Sequence, residues 1–336
     1  MMLQMGRHYS IMLSSFLSIG ILISITSSNW FMVWMGLELN LYAFIPFILQ
    51  TSNHLEKEAA LKYFFAQALA SALLLMSILF IYVTPTMSTF TIMAIIMKLG
   101  AAPCHFWFPS VMNASPWPTC WLLTTIQKIA PLMMLNLLFM HTQPIFMYML
   151  ATFSAIVGAL GGFNQSHMRP LLAYSSIHHI GWMIASMSIS KILPILYFMS
   201  YMIISSSLFF FLHKLNMNKL SPQTMNLHNN YSIISIILNM LSLGGQPPLL
   251  GFFPKMMIIF TLMNNNLVTL AIILIITSTT SLYFYMKIIL YSMFSYSIYS
   301  SPSSFLLNKT SFSILAPASI TAVSTILFSV IIIISL

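Results

Sequence analysis

KLGAAPCHFWFP, residues 98–109, places a lysine inside an apolar run and follows it within a turn and a half by Gly100 and Pro103. The run leading in, MSTFTIMAIIM from Met87, carries no charge, and Trp107, Phe108 and Pro109 lead out. Counted from about Ser88, Lys98 lies roughly 15 Å along a helix rising ~1.5 Å per residue. That is about half of a ~30 Å hydrocarbon core. A lysine at that depth costs on the order of 2.5–3.5 kcal/mol, and Pro103 removes a backbone donor close by. Both are tolerated only where protein or a water-filled cavity lies alongside. A lysine snorkelling to an interface is the simpler alternative, but from mid-depth its stem falls short.

Composition sets the class. The 336 residues are 59% hydrophobic and 4% charged, as in an integral membrane protein. The acids are Glu38, Glu56 and Glu58, against twelve Lys and Arg. A net charge of +9 would suggest nucleic acid in a soluble protein, but no basic cluster exists here to bind it. Cys104 and Cys120 stand apart, so neither a disulfide framework nor a metal site is expected. The start, MLQMGRHYS, has no small-residue cleavage site after its apolar run, and no cleaved leader is expected. No phosphate loop, haem pair or nucleophile triad occurs, so no catalytic residue is assigned.

The chain reads as an all-α, polytopic membrane protein with eleven spans. They lie near 9–27, 30–49, 58–82, 88–111, 118–140, 144–163, 170–189, 192–214, 231–263, 267–290 and 313–335. The polar stretches 215–230 and 291–312 read as loops, leaving 1–336 a single membrane domain. Arg7, Lys57, Arg169, Lys214, Lys219, Lys287 and Lys309 fall on the N-terminal side, and Lys191 alone on the other. The N-terminus is therefore expected inside and the C-terminus outside.

An internal repeat is expected as well. LGAAPCHFWFP (99–109) and LGGQPPLLGFFP (243–254) match at an offset of 144 to 145, in spans four and nine. Five spans apart means that the second set enters the membrane upside down. Residues 9–140 and 144–291 would then be inverted five-helix repeats, each with a broken fourth helix, and 313–335 an additional C-terminal helix. Gly100 and Pro103 would break the first, and Gly244, Gly245, Pro247 and Pro248 the second.

Glu38, Lys98, Lys128 and Lys255 project to similar depth on four different spans. Four ionisable groups at one level read as a polar axis in the membrane plane. His178 and His179, mid-way along span seven, are possible relays, although a buried His is more often structural. Glu58 and Lys62 are spaced i,i+4 at the inner start of span three. They suit a helix-start charge pattern as well as a role in proton entry. Gly161 and Gly162 read as close helix packing.

GLELN (36–40), EAALKYFFAQALAS (58–71), KLGAAPCHFWFP (98–109), TTIQKIAP (124–131), RPLLAYSSIHHIGWM (169–183) and LSLGGQPPLLGFFPK (241–255) carry a resemblance, in register over about residues 30–260. As a set they resemble the antiporter-like membrane subunits of respiratory complex I, in the form of the NADH dehydrogenase subunit 2 family of animal mitochondria. The sequence departs from that pattern at Cys104, where Phe is common, and at Ser110, where a small acidic residue is often found. The 29 methionines fit a mitochondrial code that reads one isoleucine codon as methionine.

The resemblance implies a proton relay through Glu38, Lys98, Lys128 and Lys255, with the glutamate paired to the first lysine and the third leading to a neighbouring subunit. Three lysines and one glutamate on one axis require coupled titrations. It also implies the mitochondrial inner membrane, N-terminus in the matrix and C-terminus in the intermembrane space. Other complex I membrane subunits, antiporter-like neighbours among them, and the lipid bilayer are the expected partners. No cofactor is expected on this chain; NADH, FMN, iron–sulfur clusters and ubiquinone belong to other subunits. A stand-alone cation/proton antiporter and a non-transporting membrane anchor of a redox complex are the alternatives.

Overall fold

The structure, a computed structural model, describes residues 7–49, 53–80, 87–139, 144–215, 217–218, 230–247 and 249–299. The eleventh expected span, 313–335, and Pro248 lie outside the described residues, as does most of the 215–230 loop. Thirteen helices are described: α1 (Arg7–Thr26), α2 (Trp30–Ile48), α3 (His54–Phe80), α4 (Met87–Leu99), α5 (Trp107–Ala114), α6 (Trp117–Thr124), α7 (Ile126–Leu138), α8 (Pro144–Phe163), α9 (Met168–Met187), α10 (Leu193–Leu215), α11 (Asn230–Gly244), α12 (Phe252–Asn264) and α13 (Val268–Tyr299). They fall into two compact units divided between Val157 and Gly158, and α8 crosses the division.

Seven of the expected spans are long and apolar enough to cross a membrane: α1, α2, α3, α6 with α7, α8, α10 and α13. The others differ for physical reasons. α4, α11 and α12 are short because spans four and nine are interrupted, at 100–106 and 245–251. α9 has the length of a span but carries Arg169, His178 and His179. All its residues except Arg169 and Tyr174 are buried, so packing rather than lipid meets its polar groups.

Two details depart from the sequence expectation. Span five, expected as one helix, is divided at Thr125 into α6 and α7, where φ of −115° and ψ of −77° distort the turn but keep it right-handed. The 291–312 stretch, expected as a loop, is helical to Tyr299, because no Gly or Pro stands between Val268 and Tyr299; residues 300–312 lie outside the described residues.

In the first unit α1 packs on α2 through two glycines. A Cβ on Gly20 would lie 2.9 Å from the Gly36 carbonyl oxygen, and one on Gly36 2.7 Å from that of Gly20. The two backbones therefore touch, as small residues allow between apolar helices. α3 lies along α2, α4 and α5, and α7 along α4. In the second unit α10 packs on α9, α11 and α12, and α13 on α9, α11 and α12. Gly161 accommodates the ring of Tyr174 and Gly162 that of Phe284, so both serve close helix packing.

Candidate functional site

A helix ends with backbone carbonyls that no later turn can satisfy. α4 solves this with a glycine cap. Gly100, at φ 71°, donates its N–H to Met97 O at 3.2 Å, and Ala101 donates to Ile96 O at 3.2 Å. This is the Schellman arrangement, which suits glycine because its left-handed φ disfavours a Cβ. Lys98 stands two residues before Gly100. Its own carbonyl accepts from Gln67 Nε2 at 3.2 Å, and Met97 O accepts a second bond from Trp107 Nε1 at 3.1 Å.

The Lys98 side chain lines a cavity of the first unit, together with Asn40, Tyr63, Gln67, Gln127 and Lys128. The space available to water is about 20 Å³, enough for about one molecule. Lys98 is 7% exposed and Lys128 2%. Lys128 lies 4.8 Å from the centre of the Phe108 ring, a cation–π contact worth about 2 kcal/mol when desolvated. Gln127 Nε2 donates to Asn40 Oδ1 at 3.2 Å, and the Tyr63 hydroxyl donates to Gln127 Oε1 at 3.5 Å. Glu38, half-buried, acts electrostatically on both Lys98 and Tyr63, but forms no ion pair with Lys98 among the described residues. Two lysines lining one small cavity repel when both are protonated, so their charge states are coupled.

The second unit repeats the cap with a different seal. Gly245, at φ 81°, donates to Ser242 O at 3.0 Å, and Gln246 donates to Leu241 O at 3.2 Å. The two remaining carbonyls are met by Lys255, whose Nζ donates to Leu243 O at 3.3 Å and Gly244 O at 2.9 Å. A cation at a helix C-terminus also meets the negative end of the macrodipole. The same Nζ lies 5.8 Å from the Trp182 ring centre. Trp182 Nε1 donates to His178 Nε2 at 3.2 Å. An indole N–H can only donate, so that His178 nitrogen is the acceptor. His179 Nδ1 is 2.7 Å from the Tyr197 hydroxyl, and the Tyr197 and Trp182 rings stack at 6.5 Å.

Lys98 and Lys128 thus share a cavity with Glu38 nearby, and His178 joins Lys255 through Trp182. Pro103 and Pro247 lie in the segments between helices, and Gly244 is the last residue of α11. Glu58 and Lys62 form an exposed i,i+4 ion pair on α3, and neither lines the cavity. Sequence reasoning missed Asn40, Tyr63, Gln67 and Gln127 as site residues. Their signal was present: Tyr63 and Gln67 are i,i+4 along the buried face of α3, and Gln127 directly precedes Lys128.

Seven helices long and apolar enough to cross a membrane, with buried lysines beside two helix breaks, define a polytopic membrane protein. The chain belongs to the NADH:quinone oxidoreductase/Mrp antiporter transmembrane family, whose profile matches residues 27–92 and 84–282. It is 43% identical over 284 residues to the protein of Lumbricus terrestris named NADH-ubiquinone oxidoreductase chain 2, covering 81% of this chain and 83% of that one. In fold it is similar to a chain of respiratory complex I from Thermus thermophilus, with a TM-score of 0.78, 24% identity, and coverage of 85% and 71%. A chain of the Mrp complex from Dietzia sp. DQ12-45-1b is also similar, with a TM-score of 0.76, 16% identity, and coverage of 82% and 59%.

Proposed function

We propose that this chain is a proton-translocating, antiporter-like subunit of respiratory complex I in the mitochondrial inner membrane, relaying protons through Glu38, Lys98, Lys128 and Lys255. The observation that carries this is the cavity: Lys98 and Lys128, on separate elements, line one space with room for about one water. A proton exchanged through that water changes the charge seen by both lysines, and Glu38 biases the balance from the side. Lys255, linked to His178 through Trp182, continues the relay towards a neighbouring antiporter-like subunit, with His179 beside His178. The name of the earthworm relative supports membership of the oxidoreductase. The redox groups and ubiquinone would then belong to other subunits.

The same proposal includes eleven spans arranged as two inverted five-span repeats, with the N-terminus in the matrix and the C-terminus in the intermembrane space. Its support is the equivalence of the two breaks: Gly100 and Gly245 occupy the same cap position, and Pro109 and Pro254 follow at the same offset of 145.

Lys98→Met and Glu38→Gln, in a complex confirmed to be assembled, are expected to lower the protons moved per electron and the coupled quinone reduction. NADH oxidation by a hydrophilic acceptor stays normal. A normal ratio in both variants overturns the relay. A stand-alone cation/proton antiporter is the second reading, since the family's description pairs the oxidoreductase with the Mrp antiporter. Failure of the chain to co-purify with an NADH-oxidising assembly decides for it.

A further inference from the structure

The first turn of α7 departs from a regular helical ladder in two places. α6 ends at Thr124 and α7 begins at Ile126, and the Lys128 N–H pairs with Thr125 O, three residues back, at 3.1 Å. Pro131, inside the same helix, has no N–H to offer the Gln127 carbonyl four residues earlier. The backbone that carries Lys128 therefore lacks part of its ladder where the cavity opens.

The Gln127 side chain compensates sideways. Its amide nitrogen reaches Asn40 on α2 and its amide oxygen accepts from Tyr63 on α3, tying the irregular turn to two neighbouring helices. Gln67 does the corresponding work at the other lysine, donating to the Lys98 carbonyl across from α3. Both glutamines line the cavity, and neither ionises.

We infer that Gln127 and Gln67 are positioning residues for the lysine pair: they fix the backbones of Lys128 and Lys98 on one cavity and leave its charge to the lysines and Glu38. This rests on the relay proposed above. Glutamine suits the task because its amide donates and accepts at once. An ionisable residue there would itself titrate with the lysines.

The test uses the assembled complex in sealed vesicles and measures protons moved per electron across a pH series. Gln127→Met keeps the length and bulk of the side chain and removes both hydrogen bonds. It is expected to lower the ratio severalfold and displace its pH profile. Gln67→Met is expected to do the same through Lys98. Tyr63→Phe should lower the ratio less, and add little to Gln127→Met, because the two groups act in one chain. An unchanged ratio and pH profile in both Gln127→Met and Gln67→Met overturns the inference, as does full additivity of Tyr63→Phe with Gln127→Met. Lys128→Met separates the two levels. If it translocates normally, the relay itself fails; if it is defective while both glutamine variants are normal, only the positioning role fails.

Discussion

At the end of α4 the last carbonyls are met by the amide of Gln67 and the indole of Trp107, two donors that never change charge. At the end of α11 they are met by the ammonium of Lys255. The backbone caps are otherwise alike, each with a left-handed glycine making the same pair of bonds. At the offset of 145 that aligns the caps, Leu243 stands where Lys98 does, and Ser110 where Lys255 does. The lysine has changed sides of the break. Before the break, it faces a cavity while neutral neighbours hold the helix end. After the break, the cation and the cap are one group, so the state of that lysine and the integrity of the helix end are linked.

The sharpest way to break this comparison is to remove each lysine in turn. Lys255→Met should abolish its part in the relay and also uncap α11, losing hydrogen bonds from a charged donor worth about 1.5–3 kcal/mol. Lys98→Met should impair translocation as strongly without weakening the α4 cap, since Gln67 bonds the backbone there. Heat inactivation of the assembled complex reads the difference: earlier for Lys255→Met than for Lys98→Met. Equal heat stability would remove the distinction between the two breaks.

The glycines sharpen it further. Alanine at Gly100 or Gly245 meets the left-handed penalty of about 1–2 kcal/mol. At Gly245 the new Cβ would also lie 2.9 Å from Lys255 Cδ and 3.1 Å from Nζ, whereas at Gly100 it meets Phe108 Cβ at 2.9 Å. Gly245→Ala should therefore cut protons per electron by displacing the lysine, and Gly100→Ala should act chiefly on assembly yield. The smallest effect is expected away from both breaks. Glu58→Gln removes one exposed i,i+4 pair worth ~0.3–0.5 kcal/mol, and the proton-to-electron ratio should not move. A large loss there would restore proton entry at the start of α3 as an explanation.

By itself the sequence determined the class of this protein and the places where its helices stop. Class follows from composition, because a chain this apolar has no other solvent. The stops at Gly100 and Gly245 follow from single residues acting on their own backbone, and Pro103 and Pro247 keep the gaps from resuming as helix. Tertiary structure decided what depends on several helices at once. Nothing at Thr125 marks an interruption, since neither Gly nor Pro stands there, and only the packed chain shows Lys128 in a first turn. Asn40, Tyr63, Gln67 and Gln127 are unremarkable along the chain and become a lining only where α2, α3 and α7 meet. The donor that seals each helix end comes from another part of the fold, Gln67 on α3 and Lys255 across the gap from α11. A hydrogen bond needs its partner within about 3.5 Å in space, and no periodicity in one dimension carries that distance.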